Sequence, residues 1–176
     1  MKKKVAAKKT APRKTTPSKK KVVKPIPDGY HAVTPYLSIA GAGQALDFYK
    51  RAFGAREVLR MAGPDGKIGH AEIRIGDSIV MLADESPQMG FLGPKSRGGT
   101  SVNIHLYVRN CDAVVEAAVA GGAKVTRPLM DQFYGDRSGT IEDPFGHVWY
   151  IATHKEDLSK AETRRRLAEM TQGAEK

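Results

Sequence analysis

Leu37-Ser-Ile-Ala-Gly-Ala-Gly-Gln-Ala-Leu-Asp-Phe-Tyr49 runs on to Phe53-Gly54-Ala55, and the same pattern returns about 69 residues later. The second copy is Leu106-Tyr-Val-Arg-Asn-Cys-Asp-Ala-Val-Val-Glu-Ala-Ala118, continuing to Gly121-Gly122-Ala123. Each copy predicts a strand, a turn and a helix that ends at glycine. A repeated unit of this length has an apolar face that it cannot bury alone. The repeat therefore predicts two packed copies with a cleft between them.

The halves that follow these helices also correspond, and they alternate in polarity. Ile75-Gly-Asp-Ser-Ile-Val-Met-Leu82 matches Phe145-Gly-His-Val-Trp-Tyr-Ile-Ala152 at an offset of 70. Alternation with a period of two predicts strands, and strands and helices in this order predict helices on one face of each sheet. The expected fold class is α+β, with two paired βαβββ modules forming a curved mixed sheet around a cleft. The predicted strands cover 30–39, 55–61, 67–75, 78–83, 101–108, 124–127, 140–142 and 147–153, and the predicted helices cover 44–53, 112–120 and 159–170.

The positive charge is concentrated at the N-terminus. The chain of 176 residues has a formal net charge of +10, but residues 1–27 hold eleven Lys or Arg and no acid, whereas residues 28–176 hold eighteen bases and nineteen acids. A segment this basic and this poor in bulky apolar residues predicts a disordered tail. Two interpretations remain open, namely non-specific nucleic-acid contact and a solvated tail. The expected organisation is a tail at 1–27, a domain at 28–155, and a C-terminal helix and tail at 156–176.

The chain has one cysteine, Cys111, so it cannot form an internal disulfide. This usage is typical of a reducing compartment, and we expect a cytoplasmic protein. No stretch approaches the roughly 20 apolar residues of a membrane span, and the N-terminus lacks the apolar region of a secretory signal.

The polar faces of the predicted strands point to a ligand site. Helices cover the apolar faces, so the opposite faces are free to line the cleft, and burying such groups is costly unless they pair or bind something. By alternation this lining comprises Thr34, Tyr36, Ser38, His70, Glu72, Arg74, Asn103, His105 and Tyr107. His70, Glu72 and His105 are candidate ligands for one divalent metal ion, with Zn, Fe, Mn and Ni not distinguished, because two imidazoles and a carboxylate leave open positions for substrate. The alternative is that these groups only hydrogen-bond within a polar pocket.

Several of these motifs, taken together, resemble those of a known superfamily. They are Ala45-Leu-Asp-Phe-Tyr-Lys-Arg-Ala-Phe-Gly-Ala55, Gly69-His-Ala-Glu-Ile-Arg-Ile-Gly-Asp-Ser78, Val102-Asn-Ile-His-Leu-Tyr-Val108, Asp131-Gln-Phe-Tyr-Gly-Asp-Arg-Ser-Gly139 and Glu142-Asp-Pro-Phe-Gly-His147. The region 28–155 resembles the vicinal oxygen chelate superfamily of glyoxalase I, bleomycin-resistance proteins and extradiol dioxygenases, and within it the PhnB-like branch. The resemblance implies paired βαβββ modules, a dimer in many members and a cleft that often holds a divalent metal. The fold alone does not define the reaction.

The glyoxalase metal ligands carry over only in part. Their positions fall on Thr34, His70, Asn103 and Tyr150, so His70 alone is an obvious ligand. His105 lies two residues from the Asn103 position on the same face, which leaves open a shifted site. With Tyr150 at the position of the last-strand carboxylate, Glu72 is the remaining candidate for the catalytic base.

Two functions therefore remain open for the domain. One is a metal-dependent enzyme of lyase, isomerase or dioxygenase type, in which the metal polarises substrate oxygens and Glu72 moves a proton. The other is a non-catalytic binding protein of the bleomycin-resistance type, with aromatic residues stacking on a planar ligand. The candidate ligand-binding residues are Tyr36, Arg74, Asn103, Tyr107, Phe133, Tyr134 and Tyr150, with Trp149 as a further stacking surface in the second interpretation.

Overall fold

The computed structural model describes residues 23–173 and confirms two βαβββ modules. The first module contains β1 (Tyr36–Ile39), α1 (Ala42–Phe53), β2 (Arg56–Ala62), β3 (Ile68–Ile75) and β4 (Ser78–Asp84). The second contains β5 (Asn103–Tyr107), α3 (Cys111–Ala120), β6 (Lys124–Asp131), β7 (Asp136–Glu142) and β8 (Val148–His154). The connecting loop includes a 3₁₀ turn at Pro87–Met89 and the short helix α2 (Pro94–Arg97), and α4 (Lys160–Gly173) follows the domain.

Each module forms its own four-stranded mixed sheet. The strand orders are β1-β4-β3-β2 and β5-β8-β7-β6, so the two sheets have the same topology. In each sheet the first strand pairs in parallel with the last, and the other neighbours pair antiparallel. The mixed α+β class is thus confirmed, although the described residues form two sheets rather than one continuous sheet.

The two modules share one apolar core on the side of their helices. Phe48, Tyr49 and Phe53 of α1 meet Trp149 of β8, and the ring centroids of Phe53 and Trp149 are 4.7 Å apart. Helix α1 also packs against α3. Burial of large aromatic side chains stabilises such an interface by both area and ring geometry. This packing holds the first strands of the two modules near each other on the opposite side.

Several predicted boundaries are wrong for identifiable reasons. Strand β1 begins at Tyr36 rather than at residue 30, so Val33 is exposed instead of sharing the buried face of Leu37. Strand β6 continues through Pro128, where a strand end was expected. It is an edge strand, and its pairing with β7 is irregular between Arg127 and Met130. Proline is tolerated there because no ladder hydrogen bond is required from it.

Helix α4 begins as its sequence predicts. The backbone N–H of Glu162 donates to Ser159 Oγ at 3.2 Å, which is one half of a capping box. Glu162 also binds Arg165 and Arg166, so much of the helix surface consists of exposed ion pairs. No helix within residues 23–173 is long and apolar enough to cross a membrane. The disorder and the nucleic-acid contact predicted for residues 1–27 lie mainly outside the described residues.

Candidate functional site

A cavity of about 1090 Å³ lies where the first strands of the two modules approach each other. We call it the seam cavity. One wall comes from β1 and the segment before it, the second from β5, and the third from the loop that connects the modules. The lining combines apolar and aromatic surface with a few polar groups: Val33, Pro35, Tyr36, Leu37, Ser38, Phe91, Leu92, Pro94, Arg97, Gly98, Gly99, Thr100, Ser101, Val102, Asn103, Ile104, His105 and His147.

One buried polar atom in this lining has no partner. Ser38 is 8% exposed, and its Oγ is itself buried and makes no hydrogen bond to any of the described residues. Such a group costs free energy unless water or a ligand satisfies it. The alternation of β1 placed Ser38 on the cleft side, but the sequence could not indicate that its hydroxyl is left unpaired.

His147 lies beside Ser38 and is buried. Its Nε2 is 3.2 Å from the carbonyl oxygen of Ser38, although the two residues are far apart in the chain. Burial lowers the pKa of His147, because the charged imidazolium is disfavoured away from water. A neutral imidazole donates from Nε2 to this carbonyl and leaves Nδ1 as an acceptor.

The loop between the modules is fixed over the seam cavity by Glu85. Its carboxylate accepts the backbone N–H of Gly93 at 2.5 Å and the hydroxyl of Ser96 at 2.8 Å. Arg97 donates to the carbonyls of Leu92 and Gly90 within the same loop. Sequence reasoning missed Phe91 and Arg97 as lining residues, because a loop rich in Pro and Gly has no periodicity that assigns a facing direction.

A chain of hydrogen bonds runs from the seam cavity into the first sheet. The hydroxyl of Tyr36 is 3.1 Å from His70 Nδ1, and His70 Nε2 is 3.2 Å from Glu72 Oε1. The second carboxylate oxygen of Glu72 accepts a short hydrogen bond from the hydroxyl of Tyr30. We call these four residues the Tyr36 relay. Donation from Tyr30, followed by the contact with His70, lowers the pKa of Glu72, so the carboxylate form is favoured.

The predicted metal ligands are only partly brought together. His70 and Glu72 are neighbours, whereas the ring of His105 stacks parallel to Tyr150 at 6.1 Å in the second module. Among residues 23–173, no three His, Cys, Asp or Glu side chains are grouped so that they could hold a metal ion. The described residues of a single chain therefore bring together only His70 and Glu72 of the three predicted ligands for the divalent metal that the superfamily resemblance implies.

The predicted ligand-binding residues are distributed over several places. Tyr36 and Asn103 line the seam cavity, but Arg74 donates to the carbonyls of Gly29 and Asp77 instead. Phe133 and Tyr134 contact each other edge to face, with ring centroids 5.1 Å apart, in the turn between β6 and β7. Neither they nor Tyr107 and Tyr150 line the seam cavity.

Trp149 does not provide the stacking surface expected of it. It is buried in the shared core, and its Nε1 donates to Asp143. In β8 the indole of Trp149 faces the helices, whereas the side chain of the next residue, Tyr150, faces away from them. This part of the binding hypothesis is wrong.

A second polar cluster lies on the other module, centred on the buried carboxylate of Asp136. Its oxygens contact the Tyr107 hydroxyl at 2.8 Å and His154 Nδ1 at 2.7 Å, and His154 Nε2 reaches Asp157 at 3.1 Å. The phenol donates to a carboxylate here, which raises the pKa of Tyr107. Asp136 and Asp157 raise the pKa of His154, because both carboxylates favour the imidazolium form.

We expect the contribution of His154 to stability to depend on pH. The pKa of His154 is higher in the folded state than its unfolded-state value of about 6.5, so protonated His154 stabilises the fold at pH values below about 6.5. This contribution is lost as the pH rises through the folded-state pKa. His154→Gln should therefore lower Tm more in mildly acidic buffer than in alkaline buffer. Thermal unfolding over a pH series measures this difference. His31→Gln is the control, since that half-exposed imidazole lies 3.9 Å from Asp77. A pH-independent effect of His154→Gln contradicts the prediction.

Comparison with known proteins assigns the chain to a family. The family model of the Glyoxalase/Bleomycin resistance protein/Dioxygenase superfamily matches residues 33–151, and the chain belongs to this superfamily. The match runs from the segment before β1 into β8, and it includes all the residues that line the seam cavity.

The chain is also similar to individual proteins and solved structures. An uncharacterized protein of Mycobacterium bovis is 41% identical over 145 residues, which cover 81% of this chain and 95% of that protein. The crystal structure of TioX from Micromonospora sp. ML1 has a TM-score of 0.56 and 26% identity, covering 73% of this chain and all of that one. A PhnB protein from Bacillus cereus, described as a putative 3-demethylubiquinone-9 3-methyltransferase, has a TM-score of 0.57 and 17% identity, covering 70% and 99% of the two chains. At that identity the likeness shows the fold alone, which is the fold expected for the PhnB-like branch.

Proposed function

We propose that this protein binds a small molecule in the seam cavity. The observation that carries the proposal is a cavity of about 1090 Å³ whose lining combines aromatic and apolar surface with a few polar groups. Ligand cavities are typically about 300–1,000 Å³ and are lined mostly by apolar groups with a few polar ones. The lining of the seam cavity matches this description.

The lining favours a partly planar ligand. Tyr36 and Phe91 stand edge to face with ring centroids 5.5 Å apart, and they offer aromatic surface on one side of the cavity. Asn103, His105 and Arg97 add donors on the other sides. An aromatic or conjugated molecule that carries oxygen acceptors matches this arrangement. The arrangement supports the binding-protein interpretation more directly than the metal-enzyme interpretation.

Val102→Trp tests the location of the site. Val102 lines the seam cavity and is largely exposed, so a larger side chain there fills ligand space without disturbing the core. Fragments that carry an aromatic ring and an oxygen acceptor should bind wild type and perturb the amide NMR signals of Ser38 and Asn103. Val102→Trp should weaken them about tenfold or more, equivalent to ~1.4 kcal/mol.

Val119→Trp is the matched control, because Val119 is an exposed valine of α3 outside the cavity lining. It should bind the same fragments as wild type does. Fragments that map elsewhere on the domain, or that bind Val102→Trp unchanged, contradict the proposed site, as does a fragment set with no binder.

A metal-dependent reaction is the second candidate, supported by the adjacency of His70 and Glu72. A metal site there requires a further ligand beside these two residues, because the ring of His105 packs against Tyr150 and Tyr107 instead. Elemental analysis after reconstitution with Zn²⁺, Mn²⁺, Fe²⁺ or Ni²⁺ tests this candidate. Stoichiometric metal that is lost in His70→Ala supports it, and absence of stoichiometric metal excludes His70, Glu72 and His105 as a metal site.

We also propose that the protein forms a homodimer that covers β2. Every residue of this edge strand is exposed, including Val58, Leu59 and Met61. Exposed apolar edge strands favour association with another chain. Light scattering should give twice the chain mass for wild type, and Leu59→Glu combined with Met61→Glu should give the monomer. Val119→Glu, an exposed position on α3, should leave the dimer intact.

A reducing compartment such as the cytoplasm is supported by the single, buried Cys111.

A further inference from the structure

We propose that the seam cavity selects aromatic ligands that carry a carboxylate, and that Arg97 is the residue that determines this preference. The proposal rests on the proposed function, because it assumes that the cavity receives a small molecule. It goes beyond that function by assigning a negative charge to the ligand. It also gives the charged group a position, against the loop that connects the two modules.

The described residues around the seam cavity supply positive charge and no negative charge. Among those that line it, none is Asp or Glu, and Arg97 is the only Lys or Arg. Burial lowers the pKa of His147, so this imidazole adds no charge near neutral pH. A cationic ligand would therefore meet a cation without any acidic partner. An anionic ligand would meet a guanidinium.

The charge of Arg97 is not neutralised within the loop. Glu85 is the only acid between residues 85 and 102, and it does not line the seam cavity. Its two carboxylate oxygens accept the backbone N–H of Gly93 and the hydroxyl of Ser96. Within residues 23–173, the acceptors that Arg97 contacts are two backbone carbonyls, and no carboxylate pairs with it. Its positive charge therefore remains available to a ligand.

The position of the guanidinium is fixed by the loop itself. Arg97 Nε donates to the carbonyl oxygen of Leu92 at 3.2 Å, and Nη2 donates to that of Gly90 at 3.0 Å. Leu92 also lines the seam cavity, so the guanidinium lies against its wall. Nη1 is not hydrogen-bonded to any of the described residues. A planar group that is already held in place loses little entropy when it binds a carboxylate, and its remaining N–H groups form charge-assisted hydrogen bonds.

The loop leaves open space beside this guanidinium. Gly98 and Gly99 follow Arg97 and also line the seam cavity, and a Cβ added to either would meet no atom within 4 Å. Phe91 of the same loop stands edge to face with Tyr36, with ring centroids 5.5 Å apart. A rigid aromatic acid fits this combination, with its ring against the aromatic surface and its carboxylate near Arg97.

The size of the preference follows from the exposure of Arg97. Its side chain is exposed, so water and salt screen its charge. Ion pairs at such positions are weak, whereas charge-assisted hydrogen bonds in good geometry are stronger. We therefore expect a carboxylate to bind about three- to tenfold more tightly than a neutral group of the same shape. The preference should decrease as the salt concentration rises.

Three naphthalene derivatives test the charge of the ligand with the shape held constant. 2-Naphthoate, 2-naphthamide and 2-naphthamidine share the ring and a planar head group, but the head groups are negative, neutral and positive. NMR titration of the full-length protein, followed at the amides of Gly98 and Asn103, gives their affinities. We expect naphthoate to bind most tightly and naphthamidine most weakly. The ratio of naphthoate to naphthamide affinity should fall between about 10 mM and about 1 M salt.

Variants of Arg97 separate charge recognition from support of the loop. Arg97→Gln should remove the preference for naphthoate over naphthamide and leave the naphthamide affinity unchanged, whereas Arg97→Lys should retain part of the preference. Arg51→Gln is the matched control, because Arg51 is an exposed arginine of α1 outside the cavity lining. It changes the net charge equally and should keep the full preference.

Each other outcome overturns the proposed role of Arg97. Equal affinities of naphthoate and naphthamide in wild type show that the cavity does not select an anion. A preference that persists in Arg97→Gln, or that Arg51→Gln also removes, shows that Arg97 does not determine it. An equal loss of affinity for all three compounds in Arg97→Gln shows that the residue only supports the loop.

The same compounds distinguish this inference from the proposed function. If all three bind equally and Val102→Trp weakens them, the seam cavity is the binding site and the preference for a carboxylate is refuted. If naphthoate binds most tightly and requires Arg97 but is unaffected by Val102→Trp, Arg97 recognises anions and the seam cavity is refuted as the site of the ring. Absence of binding by all three overturns both proposals.

Discussion

Asp143→Ala should lower the free energy of unfolding by about 3 kcal/mol or more, because several buried donors lose their only partner. The Asp143 side chain is 2% exposed and accepts from Tyr49 Oη at 2.7 Å and Trp149 Nε1 at 2.9 Å. It also accepts the backbone N–H groups of Phe145 and His147. Tyr49 belongs to the first module and the other four residues to the second, so this carboxylate joins the two modules through their core.

Denaturant unfolding monitored by tryptophan fluorescence measures the loss. Asp131→Ala is the control, because that carboxylate is largely exposed and its ion pair with Arg137 at 3.4 Å should contribute less than about 1 kcal/mol. Tyr49→Phe removes one donor rather than the acceptor, and we expect it to cost less than Asp143→Ala does. An Asp143→Ala protein as stable as wild type would show that the buried network does not hold the modules together.

Gly93→Ala should both destabilise the fold and open the seam cavity. A Cβ at this position would lie 2.5 Å from the carbonyl oxygen of Ser38 and 2.9 Å from Glu85 Oε1. The first of these atoms belongs to the backbone of a buried strand, so the loop must move instead. Overpacking of this kind typically costs about 1–3 kcal/mol. The displaced loop carries Phe91 and Arg97, so ligand affinity should fall together with Tm.

Gly43→Ala is the matched control for this substitution. Gly43 is the second residue of α1, and a Cβ there would approach only Ile68 Cδ1, at 3.9 Å. Alanine is favoured over glycine by about 0.5–1 kcal/mol in a helix interior and by less in the first turn, so this variant should be at least as stable as wild type. Calorimetric Tm values and fragment affinities for both variants give the comparison. A Gly93→Ala protein with unchanged Tm and affinity contradicts the close approach of loop and strand.

The repeat and the alternation of β3 were sufficient to predict much of the fold. His70, Glu72 and Arg74 do face away from the helices, while Ala71, Ile73 and Ile75 are buried. Such faces depend only on the two-residue period of the strand. The same rule failed before Tyr36, because nothing local indicates where a strand stops pairing, and it failed at Pro128, because only the sheet order reveals an edge strand.

The sequence predicts which face of the strands carries the candidate site, but it does not predict which side chains contact each other there. Tyr36, His70 and Glu72 were all placed in the cleft by alternation, yet their order as a relay depends on the pairing of β1 with β4 and of β4 with β3. His105 was assigned to the same metal site, but it belongs to the other sheet and stacks on Tyr150. The two-residue period of a strand gives the face on which a residue lies, but it gives no distance to a residue of the other sheet.

Local periodicity and glycine positions thus establish two βαβββ modules and the polar face of each sheet, because both are properties of a few consecutive residues. Tertiary packing alone determines the rest. The shared core around Tyr49, Asp143 and Trp149 brings β1 and β5 together. This creates the seam cavity and leaves the buried Ser38 hydroxyl unpaired beside it. The same packing buries His147 and places the connecting loop over the cavity. These contacts join residues that are distant in the chain, and their geometry follows from how two apolar faces fit against each other.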